Sequence, residues 1–329
     1  MTTLALELVT TDNALQALVP EWEVLWRRIP AAAPFQSPAW LLPWWQVFGT
    51  GEPLVACLRA GARLAGLLPL YVFDGPDGRK LLPIGVGVSD YLDILLEPGL
   101  PADTAGRLLL SALEGGIQIG ATICDLPDLP PGSALRDLTL PVAWRAQWQS
   151  GPPCPLLRFP TGARSCEDVV PARQRRKLRM NLRRAARLGE CRVEFATSAT
   201  LDSTMARLLS LNAARWGGLD ETAQLFHNIA APGLLKAGLL RLALLLIGDH
   251  VAACCYALVG GGRQVMFYLS GFDPALAEAS PGSLLIGGIL DAAIAEGCDE
   301  AHFLRGDESY KYAWGAQDRR NAACRWVLA

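Results

Sequence analysis

One helix start near the C-terminal end of the sequence combines residue types that can bind an anion. Ser280, Gly282 and Ser283 surround the first turn of an apolar segment that is predicted to be a helix, and strand-like segments at 264–270 and 301–304 lie on either side of it. The first amides of a helix have no acceptor within the helix, and the helix dipole adds positive charge there. The pattern therefore predicts an anion-binding site, although capping of the helix by Ser280 alone would account for the same residues.

A polar and aromatic segment follows the second of these strands. Asp307 and Glu308 are candidate general bases at the carboxyl end of the strand, and Tyr310 is a candidate proton donor. Lys311 can neutralise the charge of a substrate or a phosphate. Each residue has a structural alternative: a carboxylate can cap the following turn, the tyrosine can pack in the core and the lysine can lie in solvent.

Two further groups of residues can bind a substrate. Asp90, Tyr91 and Asp93 follow a glycine-rich loop, and their two carboxylates are suited to hold an amine. Arg215 and Trp216 are candidates for the wall of an acceptor pocket, with a packed tryptophan as the alternative. The three histidines are isolated in the sequence, so we assign no metal site and no nucleophilic triad to them.

The strongest charge pattern is a basic run at residues 172–192, which holds nine arginine or lysine residues and one glutamate. Leu178, Leu182 and Ala185 recur at helical spacing, so we expect an amphipathic helix with a wide basic face. Such a face is either a solvated surface or a contact for phosphate, on a cofactor, an RNA or an acidic lipid. Closely spaced cations repel each other when no anionic ligand is bound.

Length and composition narrow the class of protein. A chain of 329 residues with 51% hydrophobic residues can form two domains with large cores, and a net charge of −2 excludes a generally polyanion-binding protein. The N-terminal residues do not resemble a signal peptide and we find no transmembrane segment, which favours a cytoplasmic location. The nine cysteines are scattered without a CxxC pair, so core packing is favoured over zinc binding or disulfides.

The predicted elements occur in a similar order in the two halves of the chain. Each half has a hairpin, a further strand, a helix and a final strand, and GARLAGLLPLYV at 61–72 resembles GDHVAACCYALV at 248–259. A stretch rich in proline and glycine at 151–162 separates the halves. We therefore expect an α/β (α+β) chain of two similar domains, residues 1–155 and 156–329, each with a mixed, largely antiparallel sheet flanked by helices.

Taken together, these motifs resemble the CelD/BcsL-like branch of the GNAT acyltransferases, which is named for an association with cellulose biosynthesis. The resemblance covers roughly residues 20–325, and its most specific parts are SDYLD, the basic RRKLRMNLRRAARL and GDESYKYAWG. The branch is similar in turn to the Fem-type transferases, which carry two GNAT-like domains and use aminoacyl-tRNA. The resemblance thus implies two tandem GNAT-like domains.

The resemblance also implies that two neighbouring strands part and that an acyl donor enters between them. The pyrophosphate of the donor would lie at the helix start at Pro281, and backbone amides near Leu269, Ser270 and Gly271 would polarise the acyl carbonyl. The sequence departs from the family at one point. Most relatives that bind acetyl-CoA carry Gln/Arg-x-x-Gly-x-Gly/Ala before this helix, whereas this chain has ASPGS at 279–283, in which proline removes one amide.

The residues and the resemblance together predict an N-acyltransferase in which an acceptor amine attacks an acyl-CoA, simplest as acetyl-CoA, without a covalent intermediate and without a metal. Glu308 or Asp307 would be the base, Tyr310 the acid that protonates the leaving thiolate, and Asp90 and Asp93 the contacts of the acceptor. The acceptor would be a small molecule or a peptide that carries an amine.

Two alternatives remain open from the sequence. The first is a Fem-type transferase that depends on aminoacyl-tRNA and holds the tRNA through phosphate contacts of the basic helix at 173–192. The second is a non-catalytic binding module in the assembly of an exopolysaccharide or of the cell envelope.

Overall fold

The hydrophobic runs of the sequence form two separate mixed sheets in a computed structural model of the chain, which describes residues 3–260 and 263–329. The first unit comprises Met1–Pro152 and Arg320–Ala329, and the second comprises Pro153–Arg319. The predicted fold class, an α/β chain with two mixed sheets flanked by helices, is confirmed.

The elements of the first unit follow the order strand, helices, strands, helix, strands. They are β1 (Leu4–Val9), α1 (Asp12–Ala17), α2 (Val19–Arg28), α3 (Pro38–Phe48), β2 (Pro53–Ala60), β3 (Arg63–Gly75), β4 (Gly78–Pro83), β5 (Leu95–Leu96), α4 (Thr104–Gln118), β6 (Ile123–Leu129), β7 (Trp144–Pro153) and β14 (Arg320–Leu328).

The elements of the second unit are β8 (Leu156–Arg158), α5 (Cys166–Val169), α6 (Ala172–Ala185), β9 (Cys191–Phe195), α7 (Leu201–Trp216), α8 (Glu221–Lys236), β10 (Leu240–Ile247), β11 (His250–Gly260), β12 (Gln264–Phe272), α9 (Pro281–Ala295), β13 (Glu300–His302) and α10 (Ser309–Ala313). A 3₁₀ segment, Pro274–Ala279, leads into α9.

The two sheets share a topology at their centres. The first has the order β1-β2-β3-β4-β6-β14-β7, with β5 beside β3, and the second has the order β8-β13-β12-β11-β10-β9. In the first sheet β1 to β4 form an antiparallel meander, and α4 then leads to β6, which lies parallel to β4. In the second sheet β9 to β12 form the meander, and α9 then leads to β13, which lies parallel to β12. The two segments with similar wording lie on β3 and β11, the third strand of each meander.

The last strand of the chain, β14, lies in the first unit, whereas the expected division assigns residues 156–329 to the second domain. β14 pairs antiparallel with β6, so residues 320–329 belong to the first unit although they follow the second in sequence. Arg325 donates hydrogen bonds from its Nε and Nη2 atoms to Asp125 of β6, at 2.6 and 2.9 Å. The pairing joins residues about two hundred positions apart, which local patterns do not record.

Each sheet buries one face against a helix, which is α4 in the first unit and α9 in the second. α4 contributes Leu108, Leu109 and Leu113 to the first core, and α9 contributes Leu285 and Ile289 to the second. These spacings of one and four residues give each helix one apolar face, and packing removes that face and the facing side of the sheet from water.

α7 lies against β12 so closely that the strand needs a glycine there. A Cβ atom on Gly271 would collide with the backbone of Leu211 and Asn212 in α7. The side chain of Asn212 also donates a hydrogen bond from Nδ2 to the carbonyl oxygen of Ser270, at 3.0 Å. The end of β12 is therefore fixed against α7 by backbone contact and by one hydrogen bond.

Candidate functional site

The fourth and fifth strands of the second sheet part after three paired positions. β12 and β13 pair in parallel from Gln264 opposite Glu300 to Met266 opposite His302. β12 then continues to Phe272 with β11 as its partner, and no other strand among the described residues pairs with its other edge over residues 267–272. Alternate amide and carbonyl groups along an open strand edge point away from the sheet, where a ligand can pair with them.

The chain leaves β12 after β13 because it follows the neighbour on its other side. The amide of Phe303 donates to the carbonyl of Pro155 at 2.8 Å, and the amide of Gly306 donates to the carbonyl of Pro153 at 3.0 Å. Leu304, between them, has a φ of 58°, a left-handed conformation that turns the backbone sharply. The parting predicted from the family resemblance thus has a local cause in residues 303–306.

An aromatic side chain fills the base of the opening. Phe303 is buried and stacks on Phe267 with ring centroids 5.2 Å apart, which places one ring from each parting strand against the other. Trp314 and Tyr310 of the following segment each lie 6.4 Å from the Phe303 ring. These contacts keep the base of the opening apolar, and they attach α10 to it.

α9 begins beside the opening with the amide of Gly282 available. Ser280 precedes the helix in a left-handed conformation and its side chain makes no capping hydrogen bond, while Ser283 and Leu284 both donate to the Ser280 carbonyl. Pro281 has no amide, and the amide of Gly282 has no acceptor within its own helix. Capping by the Ser280 hydroxyl, the structural alternative for this sequence, is therefore not formed.

A cleft of about 190 Å³ joins the open strand edge to the start of α9. Eight residues that the sequence singled out line it together, as do residues of β11, β12 and α9. The eight are Arg215, Trp216, Ser270, Gly271, Ser280, Gly282, Ser283 and Tyr310. Leu269 lies in the same strand, opposite Tyr256 of β11.

Arg215 is the cationic group of this cleft. It lies in the last turn of α7, and its guanidinium carbon is 4.4 Å from the centroid of the Trp216 ring and 4.3 Å from that of Phe272. Burial lowers the pKa of Arg215, but the group stays charged because an arginine pKa is so high. Two aromatic faces therefore hold a fixed positive charge beside the helix start.

Tyr310 brings a phenol to the same cleft. Its side chain is 44% exposed, and it contacts Phe303 edge to face. Burial raises the pKa of Tyr310 to about 12, and the negative charge of Glu308 acts in the same direction. The phenol is therefore protonated at neutral pH and can donate a hydrogen bond or a proton to an anion.

Lys311 is buried rather than exposed, and it has a structural set of partners. Its Nζ atom donates to the carbonyls of Leu304, Arg305 and Gly306 at 3.2, 2.6 and 3.3 Å, and it pairs with Glu308 at 2.8 Å. The side chain thus stabilises the turn that carries the chain away from β12. In this structure the amino group is committed to these partners and does not line the cleft.

The two candidate bases differ in their surroundings. Burial favours a raised pKa for Glu308, but the hydrogen bond and charge of Lys311 outweigh it and hold the pKa below the usual range. Asp307 is exposed. Neither carboxylate lines the cleft, so their proximity to the reacting atoms stays a prediction.

The three residues predicted as acceptor contacts in the first half lie within the first unit. The Asp93 carboxylate accepts hydrogen bonds from Ser133 Oγ at 2.6 Å and from the amide of Ile94 at 2.8 Å, and burial raises its pKa to about 7. Tyr91 packs edge to face on Phe35, and the backbone of Asp90 accepts from Asn321 at 2.7 Å. These contacts are those of a folded core, and the structure does not bring the three residues into the cleft described above.

The basic run forms a helix, α6, but it ends at Ala185, and Leu182 of the expected apolar face is 49% exposed. Gln174, Asn181 and Ala185 are buried on one side of the helix, and α6 packs against α9 and the 3₁₀ segment before it. Arg184 donates from Nη1 to the carbonyl of Glu278 in that segment, at 3.4 Å. Part of the basic helix is thus attached to the segment that leads into α9.

Sequence reasoning missed the side chains that shape the opening. The sequence pattern predicts Phe303 only as a strand residue and gives no signal for Asn212. A third feature is a bulge at Tyr268, which breaks the register between β11 and β12 next to the parting. Aromatic residues on both parting strands were the available signal, but it becomes informative only when the strands are known to be neighbours.

Other chemistries receive no support from the described residues. Across 3–260 and 263–329, no group of three or more histidine, cysteine, aspartate or glutamate residues is arranged to hold a metal ion. The nine cysteines are free thiols, and seven of them are buried, in agreement with the expected core packing. No helix in those ranges combines the length and the apolar character needed to cross a bilayer.

Comparison with known proteins gives the class of this fold. Residues 172–312 match the family model of the acetyltransferase (GNAT) domain. Among solved structures, FemX is similar with a TM-score of 0.68 at 13% identity, covering 93% of this chain and 95% of that one. No curated protein matches the chain significantly.

Two further solved structures have the same fold. A tandem GNAT protein from the clavulanic acid biosynthesis pathway is similar with a TM-score of 0.53 at 15% identity, covering 99% of each chain. L-PGS from Bacillus licheniformis is similar with a TM-score of 0.54 at 12% identity, covering 88% of this chain and 91% of that one. Residues 172–312, within the second unit, thus match a GNAT domain model, and the chain as a whole has a GNAT-type fold. The assignment to a CelD/BcsL-like branch is not tested by these similarities.

Proposed function

We propose that the protein is an N-acyltransferase that moves an acyl group, in the simplest case acetyl, from acyl-CoA to an amine. The observation that carries this proposal is the opening between β12 and β13, which lies next to the first turn of α9 in one cleft. An open strand edge and a helix start are the two backbone features that a pantetheine arm and a pyrophosphate need. On its sequence motifs, we place the chain in the CelD/BcsL-like branch.

The donor would bind mainly through the backbone. The pyrophosphate would accept hydrogen bonds from the Gly282 amide and the Ser283 hydroxyl at the start of α9, and the pantetheine arm would run along the open edge of β12. The acyl carbonyl would point at the amides near Leu269, Ser270 and Gly271, which act as fixed dipoles when negative charge develops on its oxygen. Because Pro281 removes one amide from this site, the positive charge of Arg215 becomes more important for an anionic donor.

The reaction would be a direct displacement. The nitrogen of the neutral amine attacks the thioester carbon, a C–N bond forms and the C–S bond breaks. Tyr310 gives its proton to the leaving thiolate, and Glu308 or Asp307 accepts the proton that the amine loses. Because Lys311 lowers the pKa of Glu308, this carboxylate is a weak base, and we assign the exposed Asp307 or water the same role as an alternative.

The test is binding of acetyl-CoA by calorimetry, followed by assay of thiol release with a panel of amines. Gly282→Glu places a carboxylate at the start of α9, where a Cβ atom makes only an ordinary contact of 3.5 Å with Phe272. We expect binding of acetyl-CoA to weaken at least about tenfold, because like charges meet at the helix start. Gly282→Gln, which has the same shape without the charge, should bind nearly as well as the wild type.

A matched control lies in the first turn of α4 in the first unit. A Cβ atom on Gly106 would meet Leu138 at an ordinary 3.6 Å, so Gly106→Glu adds the same charge to a helix start without a collision. This variant should bind acetyl-CoA as the wild type does. The proposal fails if no acyl-CoA binds to the wild-type protein, or if the two glutamate variants lose affinity equally.

One observation favours a second candidate function, transfer from aminoacyl-tRNA. The basic helix α6 is attached through Arg184 to the segment before α9, which places cations near the proposed phosphate site. A tRNA acceptor end would then lie along α6 with its 3′ end in the cleft. Binding of aminoacyl-tRNA that falls steeply with salt, together with no binding of acyl-CoA, would favour this function over the first.

A further inference from the structure

The outward side of α6 is an exposed surface, from which Arg179 pairs with Glu167 of α5 and Arg184 donates to the Glu278 carbonyl. Gln174, Asn181 and Ala185 are buried on one side of the helix. On the opposite side lie six residues that line one shallow surface hollow of about 500 Å³. They are Arg176, Arg179, Met180, Arg183, Arg184 and Arg187, which we call the α6 ridge.

The charge of the α6 ridge is almost entirely uncompensated in the described part of the chain. Arg179 pairs with Glu167, but no ion pair with Arg176, Arg183 or Arg187 is formed by residues 3–260 and 263–329. The chain as a whole has a net charge of −2, so the positive charge of the α6 ridge is local to this surface. Such a surface attracts a partner that presents several negative charges side by side.

One apolar side chain stands among these arginines and is exposed. Met180 lines the same hollow as the arginines and is 43% exposed. It fits a partner that offers negative charge at its surface and an apolar layer just beneath it.

We propose that the α6 ridge binds the surface of a membrane that contains anionic lipids. The arginines would contact lipid phosphates, and Met180 would enter the boundary between headgroups and acyl chains. A basic helix with apolar side chains that lies in the plane of the interface binds membranes in this way. A single-stranded RNA is the less favoured partner, because the ridge offers no aromatic rings on which bases can stack.

The inference does not depend on acyl transfer and is tested without any acyl donor. The full-length protein is mixed with vesicles of phosphatidylcholine and with vesicles that also contain phosphatidylglycerol, and the bound fraction is measured by flotation. We expect binding only to the second kind of vesicle. Replacing two arginines, in Arg183→Gln with Arg187→Gln, should weaken binding about 25-fold, since each basic residue contributes roughly fivefold near an anionic surface.

The apolar part of the proposal has its own pair of variants. Met180→Gln should weaken vesicle binding roughly tenfold because an apolar side chain no longer enters the interface, whereas Met180→Leu should bind as the wild type does. Arg145→Gln, at an exposed position of β7 in the first unit, is the matched control for charge and should have no effect.

Three results would overturn the proposal. The first is equal binding to both kinds of vesicle. The second is binding that depends on the arginines but not on Met180, which would indicate general attraction to polyanions. The third is retention of total tRNA under conditions in which phosphatidylglycerol vesicles are not bound, which would assign the ridge to RNA instead.

Discussion

Both units separate a pair of parallel strands at the same step of their sheets, but they place different side chains beside the opening. β4 and β6 pair at two positions in the first unit, and β12 and β13 pair at three in the second. The next residues along the parting strands are Leu82 and Asp125 in the first unit. In the second unit they are Phe267 and Phe303.

The first opening is lined by an ion network. Asp125 accepts hydrogen bonds from Lys80 at 3.2 Å and from Arg325 at 2.6 and 2.9 Å, and all three side chains line an open space of about 480 Å³. The helix that follows, α4, begins behind a carboxylate, because Asp103 is its N-cap residue. That helix start would repel an anion.

The second opening has the opposite character. Stacked phenylalanines close its base, Arg215 is the only charged residue among the described residues that line it, and α9 begins without a carboxylate. The same topology therefore gives one opening lined by an ion network and one that presents the amide of Gly282. The sheet provides the space, and three or four local side chains determine whether a ligand can bind in it.

The largest effect that would test this comparison is expected from Phe303→Ala. Removing a buried ring between the parting strands leaves a cavity against Phe267 and Trp314, and we expect a loss of about 3–5 kcal/mol in the free energy of unfolding, measured with urea. Leu82→Ala is the matched change in the first unit. Because Leu82 is only half-buried, about 1 kcal/mol should be lost there. Equal losses at the two positions would show that the openings are not built differently.

Activity rather than stability should respond to Tyr310→Phe. If Tyr310 protonates the leaving thiolate, kcat for acetyl transfer should fall at least about 100-fold while the affinity for acetyl-CoA stays unchanged. The wild-type rate should also not decline near pH 10, the ordinary range of a tyrosine, because the pKa of Tyr310 is raised to about 12.

Tyr312→Phe is the control for this experiment. Tyr312 donates a hydrogen bond to Asp318 at 2.7 Å and does not line the cleft, so its loss should change kcat little. A decrease of the same size in both variants would argue against proton transfer by Tyr310.

Lys311→Met should have an intermediate effect on stability. It removes the donor to three backbone carbonyls and the cation beside Glu308, and we expect about 2–3 kcal/mol less free energy of unfolding. The pKa of Glu308 should rise at the same time, because burial then acts without the opposing charge; carboxyl titration by NMR measures this. Lys177→Met, at an exposed position of α6, should cost less than about 0.5 kcal/mol.

The burial of Lys311 is one feature of the site that the sequence could not predict. The segment 265–315 carries β12, the start of α9, β13 and Tyr310, and local patterns were sufficient to expect that these parts form one site. Whether a lysine in that segment lies in solvent or in the core depends on the turn at 304–306, whose direction is set by hydrogen bonds to Pro153 and Pro155. Those partners are about 150 residues away, and no local pattern contains them.

Contacts between residues distant in sequence also explain two other differences between the sequence-based expectations and the structure. β14 was not expected in the first unit, because its pairing with β6 joins residues 123–129 to 320–328. Asp90 and Asp93 look like exposed binding groups in the sequence, since a carboxylate after a glycine-rich loop is usually solvated. The buried position of the Asp93 carboxyl depends on Ser133, forty residues later, and on the packing of that loop into the first unit.

The smallest effect should come from Asp125→Asn, and its pH dependence tests the ion network of the first opening. Burial opposes ionisation of Asp125, but hydrogen bonds from Arg325 and Lys80 outweigh it and lower the pKa. A lowered pKa in the folded state gives stability that is present above the unfolded value, near about pH 3.9, and is lost as the pH falls through the folded value. The wild type should therefore be about 1 kcal/mol more stable than the variant near pH 7, with a smaller advantage near about pH 3.

Urea unfolding of both proteins at the two pH values measures this difference. An advantage that is constant or grows as the pH falls would mean that Asp125 is not held ionised by its two partners. Acetyl-CoA binding by Asp125→Asn should equal that of the wild type even so. Removing a charge from the first opening does not supply the free helix start that distinguishes the second, because Asp103 still precedes α4.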